Sequence, residues 1–411
     1  MTDFDILIWG ASGFTGKLVA DYLDKTYGSS IRWAIGGRNK NKLEAVENNL
    51  QTSVPIVVAE CDNIDSLRKI VSRAKVVAST VGPFAKLGTP LVQVCAESGV
   101  DYCDITGEPQ WIASTIKTFQ APAKETGARI VHCCGFDSIP SDLGVLVLHR
   151  FMQEQFNQPL GRAKLYVRRL KGGASGGTIA SMLHVLEEIK DPSIRRTIVN
   201  AYSLIPAGEK SGQDGTEQRG ALFDPAVDAW TSPFIMAGIN GKVVRRSNSI
   251  MNYPYGREFR YDEVMMQKSA FRAKRESSLL LGLTMLGVFS PTRSLLRLLA
   301  PKPGTGPNEK EREAGGFELI VLGQSQGANA KGAQVRVTGH TDPGYSGTAK
   351  MLGESALCLA FDSCPEEGGI LTPAKAMGTK LVERLERAKI EFKSEAKTTT
   401  DLFYAGNRHQ P

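Results

Sequence analysis

Apolar and polar positions alternate in blocks over the first 134 residues. Short apolar runs, "FDILIWG", "IRWAIGG", "VPIVVAE", "KVVASTVG", "DYCDI" and "ARIVHCC", are separated by longer segments with helical spacing, such as "GKLVADYLDKT", "NKNKLEAVENNL" and "LGTPLVQVCAESG". Several short runs are apolar throughout, as strands are in a parallel sheet covered by helices on both faces. Six strands joined by five crossovers predict an α/β fold with a doubly wound parallel sheet of Rossmann type.

After about residue 140 the rhythm changes. Longer mixed runs, "AKLYVRRL", "GKVVRRSNSI", "GGFELIVLGQSQ" and "AQVRVTGHT", predict a second α+β domain built on a largely antiparallel sheet. Helices are expected at "GTIASMLHVLEEIK", "GYSGTAKMLGESALCLAF" and "PAKAMGTKLVERLERAK". Polar, Gly- and Pro-rich stretches at 206–220 and 301–316 read as loops, and 394–411 as a flexible tail. The expected units are a first domain over 1–140 and a second over 141–371.

One stretch breaks the pattern. "LLLGLTMLGVF", 279–289, passes without a charge, and seven bases with one acid surround it between Lys268 and Lys302. It is too short to span a bilayer, which takes about 20 apolar residues. A buried helix and a dimer contact are open readings. The basic flanks favour a third, peripheral contact of 277–300 with a membrane or lipid-droplet surface. Neither a targeting peptide nor a membrane span is apparent, so the expected location is cytoplasmic, with peripheral attachment through that segment.

Composition narrows the classes further. At 411 residues the chain suits two domains. Seven cysteines without a C-x-x-C pair, and five scattered histidines, predict reduced thiols and no metal site. Cys133 and Cys134 read as strand filler. Of the formal charge of +7, most lies around the oily segment, which leaves no general surface for nucleic acid.

Candidate chemistry begins with "WGASGFTGK". Gly10 permits a tight turn, Gly13 lets the backbone approach a pyrophosphate, and Gly16 allows a helix to pack closely on the first strand. Ser12, Phe14 and Thr15 complete this loop, whose helix N-terminus offers unpaired donors to phosphate. The second strand ends "GGRNKNK", with Arg38 where an NAD site has an acid, and Lys40 and Lys42 behind it. That substitution points to a 2′-phosphate and hence NADPH, against the plainer reading of a solvated basic turn. Asp62, after the third strand, is placed for the adenine amino group. Val81, Gly82, Pro83 and Phe84 end the fourth, where the nicotinamide half belongs.

The loops after strands five and six, "DYCDITGE" and "CGFDSIPSD", carry Tyr102, Asp104, Glu108, Asp137, Ser138 and Asp142. They either face the cofactor cleft or simply fasten turns and helix starts. "GGASGGTIAS", 172–181, is either a second cleft loop or a plain helix cap.

Together these motifs resemble the saccharopine dehydrogenase-like oxidoreductases, and among them the trans-acting enoyl reductases. "GASGFTG", "GGRNKNKL", "STVGPF", "YCDITGE", "GFDSIPSDLG", "SGGTIAS", "VVRRSN", "DPGYSGTAKMLGE" and "GGILTPAKAMG" carry the resemblance across residues 10 to 378. It implies a nucleotide-binding domain, an α+β substrate domain and a C-terminal helix, here 372–392, returning to the first domain. It also implies reduction of a carbon–carbon double bond in a lipid or polyketide precursor. On that reading the substrate is an apolar acyl or polyketide-type chain. Tyr102 and Asp104 are candidate proton donor and orienter, and Asp137 is a third catalytic candidate. Two alternatives stand. Saccharopine dehydrogenase activity would need cleft arginines, for which Arg168, Arg169, Arg245 and Arg246 are candidates. A non-catalytic nucleotide-binding scaffold on lipid surfaces would need only the glycine loop and the oily segment.

Overall fold

The computed structural model describes residues 2–397, apart from 137, 173–175, 210–211, 215–216, 300–305 and 328, together with 402–403. Its strands, in chain order, are β1 Phe4–Trp9, β2 Trp33–Gly37, β3 Ile56–Val58, β4 Ala74–Ser79, β5 Asp101–Asp104 and β6 Arg129–Val131. They continue with β7 Leu160–Lys171, β8 Leu222–Asp224, β9 Ala229–Pro233, β10 Arg260–Gln267, β11 Gly316–Ser325, β12 Gly332–Gly339, β13 Gly369–Leu371 and β14 Ile390–Lys397.

All six expected strands of the first sheet form. The sheet is parallel, in the order β13-β6-β5-β4-β1-β2-β3. β1 lies inside it with every residue buried, which is why "FDILIW" is apolar on both faces. The seventh strand is an addition: β13 pairs with β6 from far down the chain. Three residues behind a Gly-Gly pair are too few to show a strand period.

The second sheet runs β14-β12-β11-β7-β10-β9-β8 and is antiparallel except where β10 meets β7. The helix Ile139–Phe156 packs on its β7, β11, β12 and β14 strands. One hydrophobic core continues from Ile6 and Ile8 of the first sheet to Val321, Val335 and Val337 of the second. The helix Thr348–Phe361 packs back on β1, β4, β5 and the first helix, Phe14–Thr26.

Several expectations change. "GKVVRRSNSI" is not a strand but part of the helix Ala237–Ile250, buried from Ile239 to Ser249. Its arginines are tied to carbonyls distant in the chain: Arg245 donates to the Tyr261 carbonyl and Arg246 to those of Leu204 and Ile370. The expected helix over 372–392 is interrupted. A short turn, Pro373–Ala376, ends before Gly378 at φ +54°, and Gly378–Arg387 follows. That last helix packs on Thr348–Phe361 and Ile139–Phe156. β14 then covers 390–397, including the first residues of the expected tail.

The oily segment is helical. Ala270–Val288 and Ser290–Leu299 meet at a bend of 110°, and no single helix among the described residues is long and apolar enough to cross a membrane. Both pack on the helix Gly176–Glu188. Arg293, read from sequence as an outer basic flank, turns inward. It is 4% exposed and donates to the Gly287 and Val288 carbonyls. Lys302 lies outside the described residues, as does the side chain of Arg297.

Candidate cofactor cleft

The glycine turn joins β1 to the first helix, and its three glycines differ in the space around them. Gly10 has φ +89°, a left-handed conformation that favours glycine, and a Cβ there would lie 2.5 Å from Val81. A Cβ on Gly16 would sit 2.2 Å from the Gly10 carbonyl oxygen and 2.8 Å from the Ala11 Cα. Gly13 is different: a Cβ would approach only the Gly10 oxygen, at 3.2 Å. Two glycines let the backbone fold on itself, while the third faces open space. Gly13 is also the N-cap of the first helix, which receives no side-chain cap. Its first turn therefore keeps main-chain donors for an anion. Ser12, Phe14 and Thr15 lie on this turn, with Phe14 edge-on to Tyr345 at 5.0 Å.

Arg38 follows directly on β2. It is exposed and makes no ion pair among the described residues. Lys42 is exposed on the next helix, whose N-cap Asn39 accepts from the Lys42 N–H. Burial pushes the Cys61 thiol up, with the nearby Arg38 charge opposing it, so the ends of β2 and β3 stand together. Asp62 is exposed beside them. A guanidinium without a protein partner is suited to a phosphate. Arg38→Ala is expected to weaken NADPH by about 1.5–3 kcal/mol and to change NADH little. Calorimetry with both nucleotides checks this, and an equal loss for the two would remove Arg38 from the site.

The far end of the cleft is built around Glu108, a residue 1% exposed. Its carboxylate accepts from the N–H groups of Phe84 and Ala85, both at 2.9 Å, and from the Ser181 hydroxyl at 3.0 Å. It thus ties the Val81–Phe84 turn to the helix Gly176–Glu188. Ser181 is partly exposed, and a Cβ on Gly82 would be 3.7 Å from its oxygen. Glu108 was legible as one polar residue of "YCDITGE". Its pairing with Ser181 was not, because "SGGTIAS" left a cleft loop and a plain helix cap equally open and named no partner. Of that second glycine loop, residues 173–175 lie outside the described residues, as does Asp137.

Tyr102 and Asp104 require a correction, since neither opens on the cleft. Both are 0% exposed. Asp104 accepts from the Thr106 and Cys133 N–H groups at 3.0 and 3.3 Å, and its other oxygen meets His132 Nδ1 at 2.8 Å. On the far side, His132 Nε2 is 3.0 Å from Thr115 Oγ1, which donates its only proton to the Ile112 carbonyl. The Tyr102 ring packs edge-on to His132 in the same pocket, and burial followed by the Asp104 charge raises its phenol well above the usual range. This is a fastening between β5, β6 and the helix Pro109–Thr126.

Ser138 and Asp142 are buried too. Ser138 donates to Asn240, which donates to Glu263; Asp142 accepts from Ser247 and from the Ala374 N–H. Burial pushes both acids up to about 7, their hydrogen bonds opposing it. They lock the helix Ile139–Phe156 to the helix Ala237–Ile250, β10 and the segment after β13.

The saccharopine dehydrogenase NADP binding domain matches residues 6–131. A trans-acting enoyl reductase of Mycobacterium ulcerans is 36% identical over 94% of this chain and 97% of its own. One from Mycobacterium tuberculosis is 35% identical over the same shares. A further Mycobacterium tuberculosis relative, provisionally given that name, reaches 39% over 95% of this chain and 97% of its own. The chain belongs to the saccharopine dehydrogenase-like oxidoreductases, in the group that holds the trans-acting enoyl reductases. The fold agrees: saccharopine dehydrogenase (L-Glu forming) from Saccharomyces cerevisiae superposes with a TM-score of 0.55 at 12% identity, covering 96% of this chain and all of its own.

This saccharopine dehydrogenase-like chain is an NADP-dependent oxidoreductase, and the cleft suits that cofactor. The open side of Gly13, the uncapped helix start and the unpaired Arg38 are what a pyrophosphate and a 2′-phosphate require. A separate cavity of about 750 Å³ lies across the first helix, among Tyr22, Lys25, Glu354 and Arg384. It includes none of the three glycines. No group of acids, cysteines and histidines among the described residues could hold a metal ion.

Proposed function

We propose that the protein reduces the carbon–carbon double bond of an α,β-unsaturated acyl chain of lipid or polyketide type. NADPH, when bound, would supply the hydride to the β-carbon, and a proton drawn from solvent would complete the α-carbon. The turn from Gly10 to Gly16 would hold the pyrophosphate, and Arg38, backed by Lys42, the 2′-phosphate. Glu108 ties together the Val81–Phe84 turn and the helix Gly176–Glu188 at Ser181, as two walls of the reacting end.

The observation that carries the choice of substrate is the fate of the basic residues. Saccharopine chemistry handles a polyanion, which calls for free cations in the cleft. Of the four candidates, Arg245 and Arg246 are 5% and 4% exposed and bound to internal partners, Arg168 is paired with Glu318 at 2.9 Å, and Arg169 is exposed beside it on β7. Kinship with the enoyl reductases over nearly the whole chain supports the same reading.

The test follows NADPH consumption with enoyl thioesters of increasing length, using nicotinamide-deuterated NADPH. Consumption that depends on the enoyl thioester, with deuterium at the β-carbon, is the expected result. Turnover with glutamate and aminoadipic semialdehyde alone would overturn the proposal. So would no turnover with any acceptor, which would leave a nucleotide-binding scaffold.

A further inference from the structure

The bend between Ala270–Val288 and Ser290–Leu299 carries more exposed apolar surface than any other element described. From 281 to 286 every residue is exposed, on all sides of this helix, and the chain is covered again only at Gly287. Leu281, Leu283, Met285 and Leu286 are 57%, 46%, 54% and 45% exposed, Phe289 is 64% and Leu298 is 81%. Single leucines on a surface need no explanation. A helix that is apolar all round and projects from the fold does, because such a helix is stable where something covers it.

Charge decides what that is. Lys268, Arg272, Lys274 and Arg275 are all exposed near the start of this helix, whose one acid, Glu276, pairs with Arg275 at 2.6 Å. A second copy meeting the same face with its helix running in parallel would bring these cations toward one another. An anionic lipid surface attracts them. The tip itself carries no exposed charge among its described side chains. Arg293 is folded inward, with Nη2 3.5 Å from Glu187 and Nη1 on the carbonyls of the bend. Dimensions agree. At about 1.5 Å per residue, Arg275 stands roughly 12 Å along the axis from Leu283. A tip buried about 5–10 Å leaves such cations at headgroup level.

We propose that the bend at 281–298 is a monotopic anchor that seats in the headgroup–acyl boundary of an anionic bilayer. The anchor also has a direct mechanical path to the cleft. A Cβ on Gly287 would meet Leu186 at 2.3 Å, so the bend rests against the helix Gly176–Glu188. Five residues earlier on that helix, Ser181 binds Glu108. Cleft and anchor therefore meet one helix about a turn and a half apart, and a membrane-dissolved acyl chain would arrive beside the reacting end. That last step rests on the proposed reduction of an acyl chain. The docking does not, and flotation reads docking alone.

The full chain is floated with vesicles of phosphatidylcholine, and of equal parts phosphatidylcholine and phosphatidylglycerol. It is expected to rise with the mixed vesicles and to bind about tenfold or more weakly to the neutral ones. Leu281→Asp, Met285→Asp, Leu298→Asp should lower partitioning by about 100-fold or more while leaving circular dichroism and NADPH affinity unchanged, since these side chains are exposed. Lys274→Glu, Arg275→Glu should weaken binding only to the anionic vesicles. A parent that stays down with both vesicles overturns the proposal, as does a triple-Asp variant that floats like the parent. A parent that does not float but is a dimer, made monomeric by the triple change, assigns the face to a second copy instead.

Discussion

Gly13→Val should leave a folded protein that no longer holds its cofactor, whereas Gly16→Ala should fail to fold well. Both are glycines of one turn, and a sequence motif treats them alike. At Gly13 the backbone is at φ −75° and ψ 168°, extended and open to a β-branched residue, and the added carbon meets only one oxygen, at 3.2 Å. Its methyl groups would fill the space that a pyrophosphate needs, so NADPH affinity should fall by about 100-fold or more. At Gly16 the added carbon sits 2.2 Å from a backbone oxygen that cannot swing away. The helix must lift off β1, at a cost of about 3 kcal/mol or more. Denaturant unfolding and nucleotide titration of the two variants check the contrast. Normal NADPH affinity in a folded Gly13→Val protein would remove the turn from the cofactor site.

The second large effect concerns Asp104. Asp104→Ala strands a buried imidazole and the two N–H groups of Thr106 and Cys133, and should cost about 3–5 kcal/mol of stability. Asp104→Asn keeps an acceptor for those N–H groups and is the informative variant for chemistry. Because the carboxylate is sealed from the cleft, turnover per folded molecule should stay within about threefold, far from the loss a missing acid–base group brings. A fall of about 10²–10⁴-fold in kcat would return Asp104 to the catalytic machinery.

Asp104 also marks where reading from sequence stops. Period two along β5 puts Tyr102 and Asp104 on one face, which the sequence shows. Whether that face meets a cleft or a helix depends on Trp111 and Thr115, which arrive from the helix Pro109–Thr126. By contrast, the glycine turn and Arg38 were legible because the residues that make them are neighbours in sequence. "VVRRSN" misled for the opposite reason. Paired valines and arginines look like a half-exposed strand, but the guanidinium groups find their carbonyls at Leu204, Tyr261 and Ile370. Arg293 deceived in the same way. Its partners are the Gly287 and Val288 carbonyls and Glu187, so it closes the bend instead of flanking it. Local pattern located most strands of the first sheet, and the partners of buried charges came from elsewhere in the chain.

The parallel sheet borrows its last strand, β13 at 369–371, from beyond nearly the whole second sheet. That has a consequence for how the protein is born. A ribosome adding about 5–20 residues per second finishes β6 on the order of ten to fifty seconds before β13 is made. Through that interval β6 has an open edge, a template for stray pairing. The sheet face later covered by Thr348–Phe361 is bare for nearly as long. The nascent nucleotide-binding half therefore passes through synthesis with an open edge and a bare face, and expressed without residues 348–371 it would keep both permanently.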